Sequence, residues 1–155
     1  MCKKTCCFIG HKNVEETEEL KYNVYKTVEK LIQEENIDTF LFGSKSRFND
    51  LCYEIVTKAK EDYPHIKRIY VRAEYPIIDD NYKTYILNFY ERTYYPKKII
   101  NSGKAVYVER NQEMIKNSSI CVFYYDESSQ PRNRKSGTKI AFEYAQKTKK
   151  RIIKI

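Results

Sequence analysis

Three short turns carry the chemistry that this sequence encodes most clearly. They lie at residues 10–11 (Gly-His), 43–46 (Gly-Ser-Lys-Ser) and 136–138 (Ser-Gly-Thr), each after an apolar run typical of a β-strand. The second and third turns lead directly into a helical pattern. A helix N-terminus offers unpaired N–H groups and a partial positive charge to an anion, and glycine lets a ligand approach the backbone. The turns together predict a pocket for a phosphate-bearing small molecule, a nucleotide or a relative of one.

A polar triplet, Arg110, Asn111 and Gln112, supplies a second set of candidate ligand contacts. It lies in a short predicted helix at residues 107–117 whose other face is apolar. An arginine can clamp a phosphate through two parallel hydrogen bonds, and the two amides can read a base edge. We favour a role in binding for this triplet over a plain solvent-facing one.

Three further polar residues follow predicted strands, and each has a functional and a structural interpretation. His11 follows the first strand, where its imidazole can bond a phosphate, carry a proton or cap the local loop backbone. Asp126 and Glu127 follow the fourth strand, where they can accept ribose hydroxyls or simply open a turn. The sequence leaves both pairs of alternatives open.

Apolar patterning predicts the elements that position these residues. Strands are expected at residues 5–9, 39–42, 67–71, 120–125 and 151–155, and helices at 15–35, 48–61, 107–117 and 138–147. Strands joined by single helices imply right-handed parallel crossovers. We therefore predict one α/β domain over residues 1–155, a Rossmann-like three-layer fold with a mainly parallel sheet of about five strands ordered 3-2-1-4-5. That order brings the turn after strand one beside the loop after strand four.

Residues 72–106 interrupt the alternating pattern. Pro76 and Pro96 break this excursion, and six tyrosines crowd it, at positions 75, 82, 85, 90, 94 and 95. An excursion of this length within a compact domain is usually functional or an oligomer contact. Aromatic residues are also ordinary packing residues, and packing is the interpretation we favour here.

Composition favours a globular domain without a membrane span. With 32% charged and 41% hydrophobic residues, the chain reads as a soluble domain, and no apolar run approaches the roughly 20 residues of a membrane span. The N-terminal residues read as a strand and not a signal peptide, which favours a cytoplasmic protein. Five cysteines without paired CxxC motifs predict buried thiols, with neither a disulfide framework nor a zinc site.

The net charge of +8 raises nucleic acid as a partner. The lysines are dispersed, however, apart from a run at residues 147–151, so the charge is better explained by solvated surface. The tyrosines of the excursion can still serve as stacking platforms for bases. Single-stranded nucleic-acid binding is therefore kept as an alternative that we do not favour.

The order of these motifs resembles the YpsA-like family of the SLOG superfamily, which also holds the LONELY GUY phosphoribohydrolases. The resemblance rests on CCFIGHK at residues 6–12, Phe-Gly at 42–43, RNQEMI at 110–115, YYD at 124–126 and Ser-Gly-Thr at 136–138 followed by Tyr-Ala at 144–145. It covers nearly the whole chain. The resemblance implies a Rossmann-like fold, a nucleotide-type pocket and a homo-oligomer formed through the excursion or the outer helices, but it implies no particular reaction.

The second turn departs from the YpsA-like pattern. Arg47 stands at the position of that family's second glycine, and Asn49 stands near its aspartate, with Asp50 one step on. A small, permissive turn has thus become a bulkier and more basic one. Lys45 and Arg47 are both able to meet phosphate oxygens, or to form a solvated basic loop.

The third turn departs from related enzymes at the residue that performs their catalysis. The resemblance to nucleoside deoxyribosyltransferases implies a glutamate three residues after Gly-Thr, where this chain has Ala141. Cleavage of an N-glycosidic bond needs a carboxylate near the anomeric carbon. The weak catalytic candidates are Glu143, Asp126 and Glu127.

We therefore expect a nucleotide or ADP-ribose-like ligand to bind at the carboxyl ends of the strands, in a sensor or ligand-capture protein. The first alternative is an N-glycosidase or ribosyltransferase acting on a nucleoside 5′-monophosphate. No cofactor or metal site is identified, and no membrane association is expected. The residues expected to bind the ligand are Gly10, His11, Gly43, Ser44, Lys45, Arg47, Arg110, Asn111, Gln112, Asp126, Ser136, Gly137 and Thr138.

Overall fold

A fully parallel sheet of six strands forms the centre of the fold, in the order β4-β3-β2-β1-β5-β6. The structure is a computed structural model that describes residues 4–129 and 136–155. Its strands are β1 Thr5–Gly10, β2 Thr39–Phe42, β3 Lys67–Val71, β4 Arg92–Tyr94, β5 Ile120–Tyr124 and β6 Arg151–Lys154. Parallel pairing directs the carboxyl ends of all these strands to one edge of the sheet.

Five α-helices connect the strands in the described part of the chain. They are α1 Glu18–Glu34, α2 Arg47–Asp62, α3 Asp80–Ile86, α4 Val106–Lys116 and α5 Gly137–Lys147. Hydroxyl side chains cap the N-termini of α1, α2 and α5. Thr17, Ser46 and Ser136 each accept a hydrogen bond from a backbone N–H in the first turn of their helix. The starts of α2 and α5 are therefore set by residues of the second and third turns.

Two apolar clusters cover the two faces of the sheet. Cys6 and Phe8 of β1 pack with α1 and α2, whereas Cys7 and Ile9 of the same strand pack with α4 and α5. Successive residues of a strand point to opposite faces, so an unbroken apolar run serves both clusters. The three-layer α/β arrangement predicted from the sequence is confirmed.

The predicted order of the five expected strands is confirmed, but the sheet has a sixth strand. β4 comes from the excursion and pairs with β3 at the edge of the sheet. It spans three residues, two of which are exposed, so it carries no alternating apolar pattern that a sequence could reveal. The excursion also contributes α3, whose Ile86 is buried in the cluster beside α1 and α2.

The cysteines within the described residues are free and buried, as predicted. They are Cys6, Cys7, Cys52 and Cys121, whereas Cys2 lies outside the described part of the chain. Burial raises the pKa of the Cys6 thiol and that of the Cys52 thiol well above the usual value for cysteine, so both thiols stay protonated. Within residues 4–129 and 136–155, no helix is long and apolar enough to cross a bilayer, and no cluster of ligating side chains is able to hold a metal.

Candidate functional site

A cleft of about 1140 Å³ opens at the carboxyl ends of β1, β2 and β3. All three turns predicted from the sequence line it: residues 10–13 after β1, residues 43–46 after β2 and residues 136–138 at the start of α5. The volume lies just above the ~300–1,000 Å³ of typical small-molecule sites. The strand order explains this convergence, because β1 lies between β2 and β5.

Arg110 is the central charged group of the cleft. It projects from α4, is only 5% exposed, and lines the cleft beside Asn111. Its Nε donates to Asn111 Oδ1 at 3.0 Å, and its Nη1 donates to the Gly43 carbonyl oxygen. No carboxylate in the described residues pairs with this guanidinium, and burial lowers its pKa from the usual value. The cleft thus contains a desolvated cation that no carboxylate of the described residues compensates.

The turn after β2 is held by its own side chains. Ser46 Oγ accepts from the Asn49 N–H at 3.0 Å, and Asn49 Oδ1 accepts from the Gly43 N–H at 3.3 Å. The Arg47 N–H donates to the Lys12 carbonyl at 2.9 Å, so the first turn of α2 has already lost two of its donors. The N–H groups of Ser44 and Lys45 meet no acceptor among residues that the structure describes, and both residues line the cleft.

The start of α5 supplies a second set of backbone donors. Ser136 Oγ accepts from the Lys139 N–H at 3.0 Å, which satisfies the third residue of the helix. The Gly137 and Thr138 N–H groups precede it, and both residues line the cleft. A Cβ at Gly137 would meet nothing within 4 Å among the described atoms. The N-terminus of α5, with its partial positive charge, and Arg110 therefore belong to the lining of the same cleft.

His11 lines the cleft, but its imidazole is committed to the backbone of the loop after β5. Nε2 lies 2.7 Å from the Asp126 N–H and 3.2 Å from the Asp126 carbonyl oxygen. The shorter contact requires Nε2 to accept, which puts the ring proton on Nδ1. Of the two sequence interpretations, the loop-capping one describes what His11 does here.

Gly10 and Gly43 are required by packing of the protein on itself. A Cβ at Gly10 would lie 2.4 Å from the Phe48 ring. A Cβ at Gly43 would lie 2.7 Å from both Arg110 Cδ and Met114 Sδ. The sequence predicted that these glycines let a ligand approach the backbone, but side chains of α2 and α4 fill that space. At Gly43 the missing side chain admits the arginine that faces the cleft.

The acidic groups of the cleft come from the excursion, which the sequence interpretation assigned to packing. Glu74 receives two hydrogen bonds from Arg72, at 2.8 and 3.0 Å, and it also accepts from the Asp79 N–H. Asp79 caps α3 by accepting from the Asn81 N–H at 2.9 Å. Because Arg72 compensates Glu74, the described lining is left with three cations, Lys12, Lys45 and Arg110, against the single carboxylate of Asp79. The cleft is electropositive and suits an anion.

The cleft brings together most of the predicted binding residues. Those that line it are Gly10, His11, Gly43, Ser44, Lys45, Arg110, Asn111, Ser136, Gly137 and Thr138. Three predicted binding residues are not in its described lining. Arg47 points away and pairs with Glu16 at 2.7 Å, and Gln112 is half-buried on α4. Asp126 accepts from both the N–H and the hydroxyl of Ser128 in the turn that follows β5.

The three catalytic candidates also lie outside the described lining of the cleft. Glu143 is half-buried on α5, two residues past the buried Ala141, and Asp126 and Glu127 belong to the exposed turn after β5. The carboxylates in the described lining are instead Glu74 and Asp79. Within the described lining, those two are the carboxylates available for chemistry at a sugar ring.

Sequence reasoning missed several aromatic and acidic residues of the site. Tyr70, Tyr75, Tyr82 and Tyr107 line the cleft together with Glu74 and Asp79. The clustering of tyrosines at residues 72–106 was a visible signal for two of them. No signal distinguished Glu74, because its partner Arg72 and its position at the end of β3 emerge only from the fold.

No protein-family model matches the chain, and no curated protein matches it either.

Proposed function

We propose that the cleft binds a nucleotide or a nucleotide-derived ligand of the ADP-ribose type through its phosphate, and that the protein acts as a sensor or ligand-capture protein. The same order of motifs and strands supports membership of the YpsA-like family as a second part of this proposal.

Arg110 is the observation that carries the proposal. A buried charge without a partner is costly, by several kcal/mol in a real protein interior. Nε and Nη1 of Arg110 donate to Asn111 Oδ1 and to the Gly43 carbonyl oxygen, which fixes the plane of the guanidinium. Its Nη2 donates to no acceptor among the described residues, and Arg110 lines the cleft. A phosphate fits this fork, because two of its oxygens match two parallel N–H groups. Ligand binding would supply the missing negative charge.

Backbone donors extend the same anion site on two sides. The Gly137 and Thr138 N–H groups at the start of α5 and the Ser44 and Lys45 N–H groups after β2 line the cleft with Arg110. Such donors are already oriented and cost no side-chain entropy on binding. A ligand with one or two phosphates matches donors spread over two turns better than a single carboxylate does.

The absence of a glutamate at Ala141 supports binding over turnover. The carboxylates in the described lining, Glu74 and Asp79, are both held by hydrogen bonds within the protein. Glu74 is bonded through both oxygens to Arg72, a pairing that suits an acceptor for hydroxyls more than a nucleophile. Binding is therefore the function that the geometry supports best.

Thermal unfolding with added ligand tests the proposal. The probes are AMP, ADP-ribose, NAD and cyclic AMP, with adenosine as the control that lacks phosphate. A ligand at about 100 times its dissociation constant adds about 2.7 kcal/mol to the free energy of unfolding, which is readily seen as a rise in melting temperature. We expect at least one phosphorylated probe to stabilise the protein well beyond adenosine. No rise with any of them, or an equal rise with adenosine, would contradict the proposal.

A further inference from the structure

A second cavity of about 370 Å³ adjoins the cleft and is walled mainly by aromatic rings. We call it the tyrosine annex. Its aromatic walls are Tyr53, Tyr70, Tyr82, Tyr85, Phe89 and Tyr90. The volume lies within the ~300–1,000 Å³ of small-molecule sites. The annex is therefore large enough to hold one part of a ligand.

The annex and the cleft share a wall. Ser44, Lys45, Tyr70 and Tyr82 line both. Lys45 Nζ lies 5.9 Å from the centroid of the Tyr82 ring, so the cation and the ring stand together at this boundary. Because Lys45 also belongs to the anion site, a ligand phosphate near Lys45 leaves the rest of the molecule within reach of the annex.

The rings of the annex present flat, exposed surfaces. Tyr82 and Tyr85 are stacked with centroids 6.0 Å apart and planes 15° apart, and Phe89 meets Tyr85 edge-on at 5.3 Å. Tyr85 is 58% exposed and Phe89 is 45% exposed. Covering water-exposed aromatic rings with another flat ring lowers the free energy, because it removes apolar surface from water. The shape and chemistry of these walls suit a planar aromatic group.

A buried amide adds a polar contact to the aromatic walls. Asn49 lines the annex and is 3% exposed. Its Oδ1 accepts from the Gly43 N–H, which assigns the two N–H donors to Nδ2. Those donors meet no acceptor among residues 4–129 and 136–155. A heterocycle with ring nitrogens or a carbonyl would supply one, whereas a purely hydrocarbon ring would not.

We infer that the tyrosine annex holds the nucleobase of the ligand whose phosphate binds at Arg110, so that the site selects base-bearing phosphates over base-free sugar phosphates. This inference rests on the proposed function. It adds the part of the ligand that confers selectivity. Every base has a flat face, so the rings themselves tolerate any base, and Asn49 supplies the directional contact.

Calorimetric titration of AMP and ribose 5-phosphate tests the inference, because these ligands differ only by the base. Three proteins are compared: the unmodified chain, Tyr85→Ala and Tyr22→Ala. The control is closely matched, since Tyr22 is 60% exposed on α1 and Tyr85 is 58% exposed on α3. Both positions are at the surface, so both variants are expected to fold. Phe89→Ala serves as a second annex variant.

We expect AMP to bind at least about tenfold more tightly than ribose 5-phosphate. Tyr85→Ala should lower the affinity for AMP about fivefold or more, as loss of base stacking does, and leave the affinity for ribose 5-phosphate unchanged. The Tyr22→Ala control should bind both ligands as the unmodified chain does. Equal affinities for the two ligands, with no effect of Tyr85→Ala or Phe89→Ala, would overturn the annex and leave the phosphate site standing. No binding of either ligand, or of ADP-ribose, would overturn the proposed function and the annex together.

Discussion

The Arg110 side chain occupies the space that a side chain at Gly43 would need. Its Nη1 donates to the Gly43 carbonyl oxygen, and a Cβ at residue 43 would lie 2.7 Å from Arg110 Cδ. The glycine at the end of β2 is thus matched to an arginine on α4, 67 residues later in the chain. This pair positions a buried cation at the edge of the sheet where the parallel strands end.

Replacing Arg110 by methionine should strongly weaken the binding of phosphorylated ligands. Methionine keeps much of the side-chain volume but removes the charge and the fork of donors. Loss of a charge-assisted, bidentate contact is expected to weaken ADP-ribose or AMP binding by tenfold or more, measured by calorimetry. The ligand-free variant should still melt cooperatively, since the substitution also removes an uncompensated buried charge. Unchanged affinity in a folded Arg110→Met protein would contradict the assignment.

Lys45→Ala should weaken the same ligands less than Arg110→Met does. Lys45 is an exposed point charge at the boundary with the annex, so its contribution is screened by salt. We expect about a threefold loss of affinity at low salt that shrinks in 0.5 M salt, where the Debye length falls to a few ångströms. Lys30→Ala on α1 is the control, because Lys30 is exposed and pairs only with Glu34 in the described structure. An equal loss in both variants would show a non-specific charge effect.

The glycines of the three turns should respond differently to alanine. Gly10→Ala forces a Cβ into the Phe48 ring at 2.4 Å, so we expect a loss of about 1–3 kcal/mol in the free energy of unfolding. Gly43→Ala should cost a similar amount and also weaken ligand binding, because Arg110 has to move. Gly137→Ala meets no described atom within 4 Å and should leave stability unchanged. Urea denaturation of the three variants measures this ranking, and equal midpoints would contradict the packing assigned to Gly10 and Gly43.

The ion pair between β3 and the start of β4 should make stability depend on pH. Burial pulls the pKa of Glu91 upward, but hydrogen bonds from Arg68 and its charge outweigh burial and hold that pKa below the usual value. A carboxyl with a lowered folded-state pKa stabilises the protein above its unfolded-state pKa of about 4.3, and this contribution disappears as pH falls through the folded-state value.

Arg68→Met is therefore expected to lower the free energy of unfolding by about 1 kcal/mol at pH 7. It should also flatten the decline in stability that the unmodified protein shows on acidification below about pH 4.3. Urea denaturation from pH 7 to pH 3 measures both effects. If the stability of the variant falls with pH at the same slope as that of the unmodified protein, the pKa of Glu91 does not depend on Arg68.

The strands and their order were predictable because the sheet is buried on both faces. Strands such as β1 and β5 are unbroken apolar runs, and the single helices between them restrict the crossovers to one hand. β4 was not predictable, because two of its three residues are exposed and its pairing with β3 depends on the path of the excursion. Local pattern reveals buried strands and misses short edge strands.

The site was predictable where helix starts define it and unpredictable where long-range contacts do. The turns at Ser46 and Ser136 carry N-cap chemistry that a sequence displays directly. Arg47 turns away from the cleft because Glu16, 31 residues earlier, attracts it. His11 is held by a backbone group 115 residues away. Neither contact can be predicted from the local sequence pattern.

The position of the phosphates is best decided by a crystal structure of the protein with ADP-ribose. We expect phosphate oxygens within hydrogen-bonding distance, about 2.7–3.1 Å, of the Arg110 guanidinium and of the Gly137 or Thr138 N–H. ADP-ribose bound with both phosphates away from Arg110, or bound outside the cleft, would contradict this expectation.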